Sequence, residues 1–191
     1  MKKVGLAVMA VTMMCVLLGC TNYAKKYDKN TIVIKNNDSI VEVAVEDFED
    51  SSIKEEELTS YVEQQIDDYN NENGNNKIKK KSIDTEDMSK VKLVLTYKDM
   101  ESYNGFNSQE CTLDDFSNIK ESELKGTYTS AEGKSVKYAD LEDTAKAKVL
   151  ILSEAVNVVL GGDVLYYNSE VSVKDEVIST TGKDDAVIIF K

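Results

Sequence analysis

An α+β fold on an antiparallel sheet is the architecture this sequence predicts, and three observations carry it. Two pairs of alternating apolar runs flank a long segment, Ile53 to Asn73, whose apolar residues recur at spacings of three and four. From Lys148 onward the chain breaks into short β-branched runs separated by turn residues. The expected arrangement is a strand-strand-helix-strand-strand unit with one long amphipathic helix on the sheet, followed by a C-terminal meander of short strands.

Thr31–Lys35 and Ser39–Glu46 form the first predicted pair, with Asn36-Asn37-Asp38 as turn chemistry. Val41, Val43 and Val45 alternate with Glu42, Ala44 and Glu46, which puts the valines on a buried face and leaves the other side of the sheet wet. The helix follows. Ser52 and Glu55 suit a capping box, Glu55, Glu56 and Glu57 complement the positive end of the helix dipole, and Gly74 supplies the stop. Its apolar face is expected to comprise Leu58, Tyr61, Val62, Ile66 and Tyr69.

The second pair is Lys77–Ile83 and Val91–Tyr97. Lysines at 77, 79, 80 and 81 mark the former as a protected edge strand. A helical turn is expected through Asp99–Phe106, and Gly126-Thr127-Tyr128-Thr129 begins a strand, although Ser108–Ser135 otherwise lacks a clear period. The final runs are Val149–Leu152, Ala155–Leu160, Val164–Tyr167, Val171–Val173, Val177–Thr180 and Ala186–Phe190, with turns at Gly161-Gly162-Asp163 and Thr181-Gly182-Lys183-Asp184. Tyr166 and Tyr167 should point to opposite faces of their strand.

Ahead of all this, Lys2 and Lys3 precede an apolar run from Val4 to Leu18, the pattern of a secretory signal and too short for a comfortable membrane span. Leu17-Leu18-Gly19-Cys20 closes it in the form of a bacterial lipobox. The motif implies diacylglyceryl transfer to the Cys20 sulfur and cleavage after Gly19. The predicted organisation is therefore a signal peptide over 1–19, a lipidated cysteine and flexible tether over 20–30, and an extracytoplasmic α+β domain over 31–191. Acyl chains on Cys20 would hold the domain to the outer face of the cytoplasmic membrane, each buried methylene contributing ~0.8 kcal/mol.

Composition narrows the chemistry. All 23 basic residues are lysine, and histidine, arginine, proline and tryptophan are absent. No imidazole base, His-ligated metal or guanidinium clamp is available, which removes most hydrolase and transferase designs. The chain carries a net charge of −12, and loss of Lys2 and Lys3 with the signal takes it to −14. Nucleic acid is thereby disfavoured as a partner, as is an anionic membrane face. Cys15 leaves with the signal and Cys20 is consumed by lipid, so Cys111 is unpaired and expected to be buried.

The lipobox, Val45-Glu46-Asp47-Phe48, Glu56-Glu57-Leu58 leading to Asp68-Tyr69-Asn70, Leu95-Thr96-Tyr97-Lys98 with Tyr103-Asn104-Gly105-Phe106-Asn107, and Gly126-Thr127 together resemble a family of Firmicutes, especially clostridial, membrane lipoproteins. The resemblance implies a Gram-positive surface protein and carries over no catalytic or binding residue.

Other motifs have ordinary explanations. Ser51-Ser52-Ile53-Lys54, Ser117-Asn118-Ile119-Lys120 and Ser102-Tyr103-Asn104 echo elements of penicillin-recognising enzymes, but no Lys-Thr-Gly follows and Ser52 suits a cap. Asp114-Asp115 and Asp184-Asp185 suit solvated faces. No catalytic, cofactor or metal residue is therefore assigned, and Cys20 is the one site residue. The expected role is a non-catalytic binding or interaction module for a protein or wall polymer; the alternative is a carboxylate-dependent envelope enzyme acting on wall glycan.

Overall fold

The computed structural model describes residues 22–47, 54–86, 89–174 and 177–191. The first half contains α1 (Tyr23–Lys26), β1 (Thr31–Ile34), β2 (Ile40–Asp47), α2 (Glu55–Asn73), β3 (Ile78–Asp84) and β4 (Lys90–Tyr97). After α1, this is the predicted strand-strand-helix-strand-strand unit. The β1–β2 turn closes through hydrogen bonds from Lys35 N to Ser39 O and from Asp38 N to Lys35 O, with Asp38 in the left-handed region at φ 62°. Aspartate tolerates that region better than most side chains because its short polar group bonds locally.

Helix α2 ends at Gly74, whose φ of 102° suits glycine. Its amino end starts after Lys54, which supplies no side-chain cap, and the Ser52 half of the expected capping box lies outside the described residues. Val62 and Ile66 are buried, with Leu58 and Tyr69 packed beside them. Tyr61 departs from expectation: it is 61% exposed. At 100° per residue it sits roughly 95° from the mean direction of the other four, off the buried stripe. The Asn70 amide fastens α2 to β3, donating to Ile78 O at 2.9 Å and accepting from Ile78 N at 3.0 Å. As its lysines predict, β3 is a sheet edge.

The second half comprises α3 (Met100–Asn107), β5 (Thr112–Asp115), α4 (Glu121–Leu124), β6 (Thr127–Ser130), β7 (Ser135–Lys137), β8 (Lys148–Leu152), β9 (Asn157–Leu160), β10 (Val164–Tyr167), β11 (Val171–Lys174), β12 (Val177–Thr180) and β13 (Ala186–Phe190). The predicted run of short strands is present, but it does not meander through one sheet. A seven-stranded sheet has the order β11-β12-β9-β1-β2-β4-β3, and a six-stranded sheet the order β5-β8-β13-β10-β6-β7. Successive strands thus cross between sheets, and β9 joins β1 in parallel, Thr31 opposite Asn157 and Ile34 opposite Leu160. Gly161-Gly162 makes one crossing possible, since a Cβ on Gly162 would lie 2.0 Å from the Lys191 carbonyl oxygen.

The main core lies on the inner face of the seven-stranded sheet, joining Ile32, Ile34, Ile40 and Leu95 to Leu150, Leu152 and Ile188 of the six-stranded sheet, with α2 and α3 contributing Ile66 and Tyr103. Fully burying each such aliphatic side chain contributes about 1.5–3 kcal/mol. A second cluster covers the far face of the six-stranded sheet with Leu124, Tyr128, Val149 and Ile189. Tyr167 packs against the main core and Tyr166 against this second cluster, on opposite faces as predicted.

Two local expectations change. Val41 and Val43 are buried, yet the opposite face of β2 is not wet: Ile40 is fully buried and Glu42 is half-buried. Both faces of the strand are covered because a third cluster, Ala24 with Val41, Val43 and Val94, seals the outer side. The segment expected as a flexible tether is folded from Asn22 onward. The Asn22 side chain accepts from Lys25 N, Ala24 is buried, and Lys92 Nζ donates to Ala24 O at 3.0 Å while pairing with Asp28 at 2.5 Å. Farther on, Asn30 Oδ1 accepts from Val45 N at 2.7 Å. A four-residue helix has no stability of its own, so these tertiary contacts create it and no local sequence signal announces it.

Candidate functional site

With no histidine or arginine in the chain, carboxylates are its main groups for acid-base chemistry. Two of them converge from distant parts of the chain. Glu42 projects from the inner face of β2, where the Tyr97 hydroxyl, at the end of β4, donates to its Oε2. Asn107, closing α3, donates to the Tyr97 oxygen at 3.1 Å and to Glu42 Oε2 at 3.4 Å. Beside them the Tyr103 hydroxyl donates to Glu154 Oε1 at 2.8 Å, and the Cys111 thiol reaches the same oxygen at 3.7 Å. Among the described residues no buried side-chain nitrogen or oxygen lacks a partner.

Burial holds the Glu42 carboxyl above the usual carboxylate range; the hydrogen bonds from Tyr97 and Asn107 pull it back, and the charges of Glu154 and Glu46 add to the rise. Burial likewise raises both tyrosine hydroxyls, reinforced by the neighbouring carboxylates. A carboxyl raised in this way is better suited to donate a proton than an exposed one, if a substrate reaches it. Five well-formed surface grooves hold about 350 to 580 Å³ each, and neither Glu42 nor Glu154 lines any of these five. The pair belongs to a half-buried, internally hydrogen-bonded network that joins β2, β4, α3 and the β8–β9 connection.

Cys111 is buried as expected, held by Asn104, which donates to its carbonyl at 2.7 Å and accepts from its N–H at 3.0 Å. Burial pushes its thiol up to about 12, with Glu154 adding to the effect. At neutral pH it is a protonated thiol and a poor nucleophile. The β-lactam-type motifs have structural roles: Ser102 N and Oγ both donate to Asp99, which caps α3, and Lys120 pairs with Glu123. Asp115 faces Lys148, Asp185 accepts from Ser153, and no group of three or more ligating side chains among the described residues is placed to hold a metal ion.

The grooves beside α1 differ in charge. One, of about 350 Å³, is lined by Lys26, Lys29 and Lys174 together with Tyr27, Asn157 and Ser179. Asp28 also lines it, but Lys92 neutralises that carboxylate and holds it below its ordinary range. The other, of about 470 Å³ on the far side of the helix, brings Lys25 together with Glu55, Asp84 and Glu86. Composition gave no sign of this division. Lys26 and Lys29 are close in sequence, but Lys174 arrives only through the crossing of β11 into the first sheet.

Cys20, the predicted lipidation site, and the signal segment 1–19 lie outside the described residues. No helix among the described residues is long and apolar enough to cross a membrane. No family, no curated protein and no solved structure matches the chain.

Proposed function

We propose that this chain is a lipoprotein of a Gram-positive cell membrane, acylated on Cys20, whose extracytoplasmic domain is a non-catalytic binding module for a protein or wall polymer. The observation that carries the anchor is Leu17-Leu18-Gly19-Cys20 closing a basic, then apolar, leader. Support for a binding role comes from the surface: the five grooves are open, and the half-buried Glu42 and Glu154, bonded to Tyr97 and Tyr103, line none of them. An enzyme acting on wall glycan would use two carboxyls about 5–10 Å apart in one cleft; Glu123, Asp184 and Asp185 line one groove and Glu55, Asp84 and Glu86 another, which keeps the enzyme as the second reading.

Metabolic labelling with a fatty acid in a Gram-positive host tests the anchor. The wild-type chain should take up label and sediment with membranes, whereas Cys20→Ala should lose the label and appear as released protein or uncleaved precursor. Normal lipidation of the Cys20→Ala chain would refute the assignment. For the domain, wall-glycan turnover by the purified protein, abolished in Glu42→Gln, would favour the enzyme over the binding module.

A further inference from the structure

The cationic groove beside α1 stands out in a molecule of net charge −12. We propose that the groove lined by Lys26, Lys29 and Lys174 seats the phosphate headgroup of an anionic phospholipid, so that this side of the seven-stranded sheet lies against the membrane. The proposal rests on acylation at Cys20, and adds to it an orientation and a lipid preference.

Chain length makes the contact unavoidable for an acylated protein. Asn22, already part of the folded body as the cap of α1, is two residues from Cys20, so the sulfur-bearing residue lies at most ~7 Å away. The four residues of α1 add about 6 Å, which brings Lys26 within roughly 15 Å of the anchor. A domain held this closely cannot stand off from the bilayer, and one face of it must meet the headgroups.

Charge selects which face. Repulsion from the acidic body is screened beyond about 8–10 Å at physiological ionic strength, so the residues nearest the surface decide the contact. On one side of α1 three lysines converge and the single carboxylate among them is neutralised by Lys92. On the other, Glu55, Asp84 and Glu86 outnumber Lys25. An anionic surface therefore draws the domain over toward the β11–β12 side and leaves the acidic groove facing water. Tyr23 and Tyr27, half-buried against the Ala24 cluster and stacked at 6.4 Å between centroids with Lys26 over the Tyr27 ring, place amphipathic aromatics, a residue type that favours the membrane interface, at this end of the molecule.

The test uses the full chain purified from a Gram-positive host in its lipidated form and reconstituted into vesicles. Lysine acylation read by mass spectrometry is compared in detergent, in phosphatidylcholine vesicles, and in vesicles in which about one third of the lipid is phosphatidylglycerol. On the anionic vesicles Lys26, Lys29 and Lys174 should react about fivefold more slowly than in detergent. Lys120 and Lys125, carried beside α4 over the far sheet, should be unchanged. Lys174→Gln should reduce the protection of Lys26. Protection equal on both kinds of vesicle, or spread uniformly over the lysines, overturns the headgroup site while leaving the anchor intact. An intact mass without thioether-linked lipid overturns both.

Discussion

The two faces of β2 show how differently one strand can be buried. Outward, Val41 and Val43 meet a thin cover, Ala24 on a single helical turn, fixed by one lysine that bonds a backbone carbonyl and a surface aspartate. Inward, Ile40 and Glu42 enter a thick layer in which aromatic rings, an amide and two carboxylates satisfy one another. The difference teaches that alternation of apolar and polar residues identifies the faces of a strand without ranking them. The face carrying the glutamate is the deeper one.

Removing the centre of the inner layer should separate the faces most sharply. Tyr97 is 1% exposed, meets Tyr103 edge-on at 5.2 Å and donates to Glu42. Tyr97→Ala should cost about 4 kcal/mol or more in urea unfolding, because it opens a cavity and strips Glu42 of its main partner. Val43→Ala, on the outer side, should cost about half as much, since a smaller volume is lost and no polar group is orphaned. Equal costs would mean that the two layers are energetically alike.

A smaller effect isolates the buried charge. The folded state raises the Glu42 pKa, so it binds this proton more tightly than the unfolded chain does. The corresponding stability is fully present below the unfolded value near 4.5 and is lost as pH rises through the higher folded value. Wild-type protein should therefore gain stability as pH falls through the folded value toward 4.5, part of it from relief of net negative charge. Glu42→Gln keeps an acceptor for Tyr97 and carries no charge. It should raise stability at pH values above the folded pKa and change it little below 4.5. A uniform shift in both ranges would remove the titration argument. The least effect belongs to Tyr61 on α2: Tyr61→Ser should stay within about 0.5 kcal/mol, since the ring is exposed.

Much of the first half was legible because its information is local. The β1–β2 turn, the period of α2 with its glycine stop, the lysine-marked edge of β3 and the alternation in β4 each lie within a few residues. Strands β10, β12 and β13 were readable by the same cues. Their destinations were not, because the parallel pairing of β1 with β9 and the crossings between sheets depend on contacts over more than a hundred residues. The segment around α4 stayed opaque because its elements are only three or four residues long and their apolar residues serve the second cluster. The approach of Glu154 to Glu42 leaves no sequence trace, since a glutamate among valines looks the same whether it meets water or a tyrosine. The lysine groove was hidden for the same reason: two of its three cations are neighbours, and the third is delivered by topology.

The place of β13 has a consequence for how the molecule assembles. Formed by residues 186–190, it is nonetheless an interior strand, hydrogen-bonded to β8 on one side and β10 on the other. A ribosome or a translocation channel delivers the amino end first. Until residue 190 has emerged, β8 and β10 therefore have no bridge between them, and β1 must in the same way wait for β9. Neither sheet can close early. The order in which the chain appears keeps it open and threadable until nearly all of it is through, after which both sheets can zip in one late, non-local step.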